Sequence, residues 1–151
     1  MRTVKHWRRS SLRSLQKHPS FSGKTTPLKG YVSSMIFASL LGTYLDLLLV
    51  GKQLYHFPVR LFPDIFTINI WFTLLVLPLG TAIFLYAVKN MHPWGRIGFI
   101  LLLALAMTFV EQLSEKTGWF SHSSDWRHSY SLFGYIIFMW LVMKFHRWTN
   151  S

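Results

Sequence analysis

Long uncharged apolar stretches organise this chain, with the polar positions gathered between them. Residues 65–88 run for 24 positions without a formal charge, residues 30–45 and 128–143 for 16 each, and residues 97–110 for 14. Alternation is absent and the runs are too long for strands, so the pattern predicts helices. A bilayer-crossing helix takes roughly 17–25 mostly apolar residues, and the segments 31–50, 66–88, 97–114 and 129–145 meet that length. The expected fold class is all-α: an integral membrane four-helix bundle over residues 31–151, preceded by a basic arm over residues 1–30. Pro58 and Pro63 break any helix through GKQLYHFPVRLFPD, residues 51–64, so a structured loop is expected between helices 1 and 2. Pro78 and Gly80 predict a kink in the second helix. Four helices of a soluble core are the competing reading, but little polar face remains to meet water.

Charge turns this pattern into a topology. The 151 residues are 51% hydrophobic and 14% charged, with a formal net charge of +11. Lys and Arg concentrate on the cytoplasmic side of membrane proteins. With both termini inside, 12 of the 16 Lys and Arg fall there: eight in residues 1–30, then Lys89, Arg96, Lys144 and Arg147. Lys52, Arg60, Lys116 and Arg127 fall outside, as do Asp46, Asp64, Glu111, Glu115 and Asp125, which are all the acids. The expected arrangement has both N- and C-termini cytoplasmic. Most Trp residues fall near helix ends, where interfacial aromatics gather. There is no Cys, which excludes disulfides and thiolate chemistry.

The basic arm has four readings. As a cytoplasmic anchor, it brings Arg2, Lys5, Arg8, Arg9, Arg13 and Lys17 to anionic lipid headgroups. A short surface helix over residues 3–16 would turn Val4, Trp7, Leu12 and Leu15 to the lipid. A mitochondrial presequence shares the composition. A secretory signal lacks a convincing cleavage site, and a nucleic-acid arm lacks a recognition fold, so no nucleic-acid partner is expected. The expected partners are the bilayer itself and a protein partner or second copy.

Carboxylates within spans are costly and face protein or water. Ser39, Gly42, Thr43 and Asp46 share one helical face, and small residues there allow close helix approach. Glu111 stands at a similar depth on the third helix, after Ala104, Met107 and Thr108 at the same spacings. These residues predict a polar pocket opening outward, formed by Asp46, Arg60, Asp64, Asn69, Glu111 and His128. The alternative is that each carboxylate braces a helix end and pairs with Arg60, Lys116 or Arg127. In the last loop, His122, Asp125 and His128 stand three apart, roughly one helical face, with donors suited to zinc. Glu111 or Glu115 would complete such a site, although the spacing matches no established metal motif. No motif calls for a cofactor, and no nucleophile elbow, phosphate loop or dinucleotide fingerprint is present.

The run Gly42-Thr43-Tyr44-Leu45-Asp46, then FPVRLFPDIF at 57–66, Glu111, SEKTGWF at 114–120 and DWRHSYSLFGY at 125–135 form a spaced set. This set, over residues 35–148, resembles a family of small multi-pass membrane proteins found mainly in spore-forming Gram-positive bacteria. The resemblance implies a bacterial plasma membrane and assigns no activity. Three functions are weighed. The leading one is a non-enzymatic accessory or partner-binding protein of the cell envelope. A membrane enzyme or lipid- or ion-binding protein would use the pocket around Asp46 and Glu111. A small transporter subunit would use the same carboxylates as proton or cation sites.

Overall fold

The computed structural model describes residues 27–150. Its helices are α1 (Pro27–Gly51), α2 (Leu77–Val88), α3 (Pro93–Lys116) and α4 (His128–Thr149). A π-helical turn, Phe72–Val76, leads directly into α2. Two short strands, β1 (Tyr55–His56) and β2 (Ser121–His122), pair antiparallel with Tyr55 opposite His122. The expected lipid contacts of Arg2, Lys5, Arg8, Arg9, Arg13 and Lys17 and the surface helix over 3–16 lie outside the described residues. Helix α1 starts at Pro27, within the stretch read as the arm. Proline is well suited to a first helical turn, where its missing N–H has no partner to lose.

α1 packs against α2 and α4, and α4 packs against α3. Gly30, Ser34, Ala38 and Gly42 are buried at intervals of four, a stripe of small residues that lets neighbouring backbones approach. A side chain on Gly42 would collide with Leu77 of α2. The core that follows joins Ala38 to Phe84, Leu85, Val88, Ile100, Ala104, Met139 and Val142. Large apolar residues on the other faces, including Val32, Ile36, Leu40, Ile83, Leu102 and Phe109, stay exposed.

The kink expected at Pro78 takes a specific form. The N–H of Leu77 bonds the carbonyl of Phe72, five residues back. Continuing that register, the next donor would be Pro78, which has no N–H to give the carbonyl of Thr73. Ser39 of α1 supplies it instead, its Oγ donating to the Thr73 carbonyl at 2.7 Å. The small-residue face of α1 thus gives close approach and also satisfies the break in its neighbour.

The helices α1 and α3 are long and apolar enough to cross a membrane. The helix Phe72–Val88 is apolar but shorter than expected from residues 66–88. Tyr, Trp, Ser and His dilute the hydropathy of α4, although its 22 residues rise about 33 Å. The ends of the bundle differ in charge. All five acids lie towards the C-termini of α1 and α3 and the loops that follow them. The opposite end carries Lys29, Lys89, Arg96, Lys144 and Arg147. There Arg96 donates to the carbonyls of Val88 (3.1 Å) and Lys89 (3.3 Å), closing the end of α2.

Candidate metal centre

Two helix ends build the acidic end. After α1, Gln53 adopts φ 57°, with Gln53 N–H bonding the Val50 carbonyl and Leu54 N–H the Leu49 carbonyl. After α3, Gly118 adopts φ 77°, with Gly118 N–H bonding Glu115 and Trp119 N–H bonding Ser114. Both are Schellman terminations, in which a left-handed residue satisfies the last carbonyls and reverses the chain. The two reversed chains meet as β1 and β2, and a further bond from Ser123 N–H to the Leu54 carbonyl (2.8 Å) extends the pairing. This pairing carries Tyr55 and His122 over the ends of α3 and α4.

His122 stands between two carboxylates of α3, which are four residues apart and share a face. Its Nε2 lies 3.1 Å from Oε1 of Glu111 and its Nδ1 lies 3.3 Å from Oε1 of Glu115. The side chain of His122 is 5% exposed and that of Glu111 8%. At those distances ordinary hydrogen bonds would be expected, yet neither ring nitrogen has an aligned partner. Proximity without alignment makes these charge contacts rather than hydrogen bonds. His128, at the start of α4, brings Nδ1 to 4.0 Å from Glu111 and Nε2 to 3.8 Å from Glu115. One donor atom each from Glu111, His122 and His128 lie within 4.8 Å of one another.

The surroundings hold this group in place. Ser131 donates to Oε1 of Glu111 and Tyr135 to Oε2, each at 2.5 Å. Trp126 donates its indole N–H to Ser131 (3.0 Å) and stacks on His122, with ring centroids 5.6 Å apart. Tyr55 packs edge-on to both His122 and Trp126 and donates to Oδ1 of Asp46 at 3.1 Å. Burial pushes the Tyr55 phenol well above its ordinary range, so it stays a donor to Asp46. Asp46 and Glu111 therefore find hydroxyl donors, and Glu111 imidazoles as well; no pairing with Arg60, Lys116 or Arg127 occurs among the described residues.

The other expected pocket residues stand apart. Arg60 donates to the carbonyls of Phe57, Pro63 and Phe66, caging the loop between its two prolines. Asp64 is exposed in that loop. Asn69 serves through its carbonyl, which accepts from Phe72 and Thr73 as the second helix begins. His122, Asp125 and His128 do not share a helix: His122 is on β2, Asp125 is exposed in the following turn, and only His128 is helical. Cross-chain pairing brings the two histidines together, with ring centroids 5.4 Å apart. Ser131, Tyr135, Trp126 and Tyr55 were not anticipated. A signal existed for two of them, since His128, Ser131 and Tyr135 follow at helical spacings of three and four on one face of α4.

Two imidazoles and two carboxylates are a borderline donor set. Calcium and magnesium prefer oxygen alone, whereas zinc takes nitrogen and oxygen together. A tetrahedral ion with bonds of about 2.0–2.1 Å sets neighbouring donors roughly 3.3 Å apart; Glu111 lies 3.1 Å from His122 and 4.0 Å from His128, and the three donors lie within 4.8 Å of one another, so they would draw together around an ion. No protein family, curated protein or solved structure matches this chain.

Proposed function

We propose that this chain is an integral membrane protein that binds a divalent transition metal ion, zinc by preference, at its outward-facing end. Glu111, His122 and His128 are the ligands. Glu115 orients His122 through the ring nitrogen that faces away from the ion, the usual role of a carboxylate behind a metal-bound histidine. The observation that carries the reading is His122: both ring nitrogens are buried, near carboxylates, and without an aligned hydrogen bond. Imidazoles enclosed for structural reasons alone normally complete such bonds.

The membrane placement has separate support. Only 11% of the apolar window in α1 and 17% of that in α3 is buried within the molecule, whereas a soluble core helix would be mostly covered. The remaining apolar surface is that of helices facing lipid, and the second helix and α4 complete four spans. Bases gather at the end that holds the start of α1 and the end of α4, which directs that end to the cytoplasm. The bacterial plasma membrane is the membrane that the sequence resemblance implies. The metal site then faces the cell exterior, as an ion-binding component of the envelope.

The test is elemental analysis and zinc titration of the full chain in detergent. One zinc per chain is expected, with affinity lowered at least about 100-fold in His122→Ala and about tenfold in Glu115→Gln. A folded wild-type protein that takes up no zinc above the level of the His122→Ala variant would refute the site.

A further inference from the structure

The basic end holds a second arrangement that the metal site does not use. A cleft of about 160 Å³ opens between α2, α3 and α4, with Leu85, Val88 and Met143 as its floor and Lys89, Arg96 and Arg147 around it. Among the described residues, no Asp or Glu pairs with these three bases, and every acid in the chain belongs to the opposite end. Arg96 uses Nε and one Nη on the carbonyls that end α2, which leaves donors on its other Nη. Lys89 and Arg147 are exposed.

A second cavity, of about 200 Å³, lies between α3 and α4 and is wholly apolar, lined by Ile97, Ile100, Ile136 and Trp140 among others. Both cavities border the seam of α3 and α4, without a lining residue in common. Arg96 and Ile100 are four apart on α3, and Ile136, Trp140, Met143 and Arg147 are three or four apart on α4, so each set forms one stripe. The cationic cleft thus lies at the helix ends, and the apolar groove lies about one turn further along the same two helices, Ile97 following Arg96 and Trp140 preceding Met143.

We propose that this seam binds one anionic phospholipid, its phosphate among Lys89, Arg96 and Arg147 and an acyl chain along the apolar groove. Basic pockets between membrane helices on the cytoplasmic side suit such headgroups. The groove decides between sources of phosphate, since a free ion has no use for it. The inference rests on the membrane placement proposed above but not on the metal site. It differs from contacts of the basic arm, which would be diffuse and salt-sensitive.

The test begins with carbonate extraction of membranes. Recovery in the soluble fraction would remove the membrane premise, and with it the lipid. With the protein in the pellet, the detergent-purified full chain is titrated with phosphatidylglycerol or phosphatidylcholine and weighed by native mass spectrometry. One phosphatidylglycerol is expected to be retained over phosphatidylcholine, with affinity falling about tenfold or more in Lys89→Gln/Arg147→Gln. Both positions are exposed, so the variant should fold. Ile136→Trp, which fills the groove, should weaken lipid binding while leaving any binding of inorganic phosphate intact. Equal retention of the two lipids, or no loss in the double variant, overturns the proposal. Displacement of phosphatidylglycerol by millimolar inorganic phosphate, without sensitivity to Ile136→Trp, would make it a site for free phosphate and overturn the lipid assignment.

Discussion

His122 and Gln53 do opposite things to local energy. His122 is held between carboxylates with its nitrogens unaligned, an arrangement that a bound cation would relieve by taking the charge between them. Its substitution should therefore cost metal affinity more than fold. Gln53 occupies a left-handed position, φ 57°, that the matching turn after α3 gives to Gly118. A residue with a Cβ is strained there. Gln53→Gly is expected to stabilise the folded protein by about 0.5–1 kcal/mol, the side-chain penalty being partly offset by glycine's greater freedom when unfolded. Thermal unfolding in detergent would measure it, and a destabilised variant would show that the Gln53 side chain has a contact worth more than the strain.

Among the elements, the second helix carries the clearest coupling. Its π-turn runs into Pro78, which cannot donate, and Ser39 answers the carbonyl left without a partner. Ser39→Ala should cost about 1 kcal/mol in the wild-type background, since an acceptor loses its partner where water is scarce. In a Pro78→Ala background the helix can restore regular bonding, and the same change should cost close to nothing. A double-mutant cycle reads the difference directly. Equal costs in both backgrounds would mean that the Ser39 hydroxyl serves some purpose other than the proline break. The strands make a related point: two residues each, they are too short to stabilise themselves, and their purpose is to carry Tyr55 and His122 across the helix ends.

For the whole molecule, the proposed direction in the membrane rests on the separation of charge. The acids and the proposed metal site share one end; Lys89, Arg96 and Arg147, with the proposed phospholipid site, share the other. Because the chain has no Cys, single introduced cysteines report sidedness. Ser124 and Asn90 are exposed at opposite ends. Ser124→Cys should react with a membrane-impermeant maleimide in intact cells, and Asn90→Cys only after lysis. The reverse pattern would invert the topology and turn the metal site to the cytoplasm.

Composition and periodicity by themselves determined the helical class, the positions of the helices, although the second starts at Phe72 rather than at residue 66, and the partition of charge. These depend on what each stretch must exclude from water, a property of local composition. The small face of α1 was legible only at Gly42: the buried stripe runs back through Ala38, Ser34 and Gly30, whereas Ser39, Thr43 and Asp46, read as the face, are half-buried. The candidate metal centre was legible only in fragments. Glu111, His122 and His128 stood out as polar groups in an apolar chain, but the reading joined His122 and His128 through Asp125 on one helix. What joins them is the pairing of Tyr55 with His122, across 67 positions of sequence, together with the meeting of α3 and α4. Arg60 likewise read as a pocket residue, yet its acceptors are the carbonyls of Phe57, Pro63 and Phe66 in and beside its own loop. Spacing along the chain cannot reveal which backbone groups a fold leaves unsatisfied or which loops it brings together. Those follow from three-dimensional packing, where each buried polar group takes the partner that the tertiary structure puts within reach.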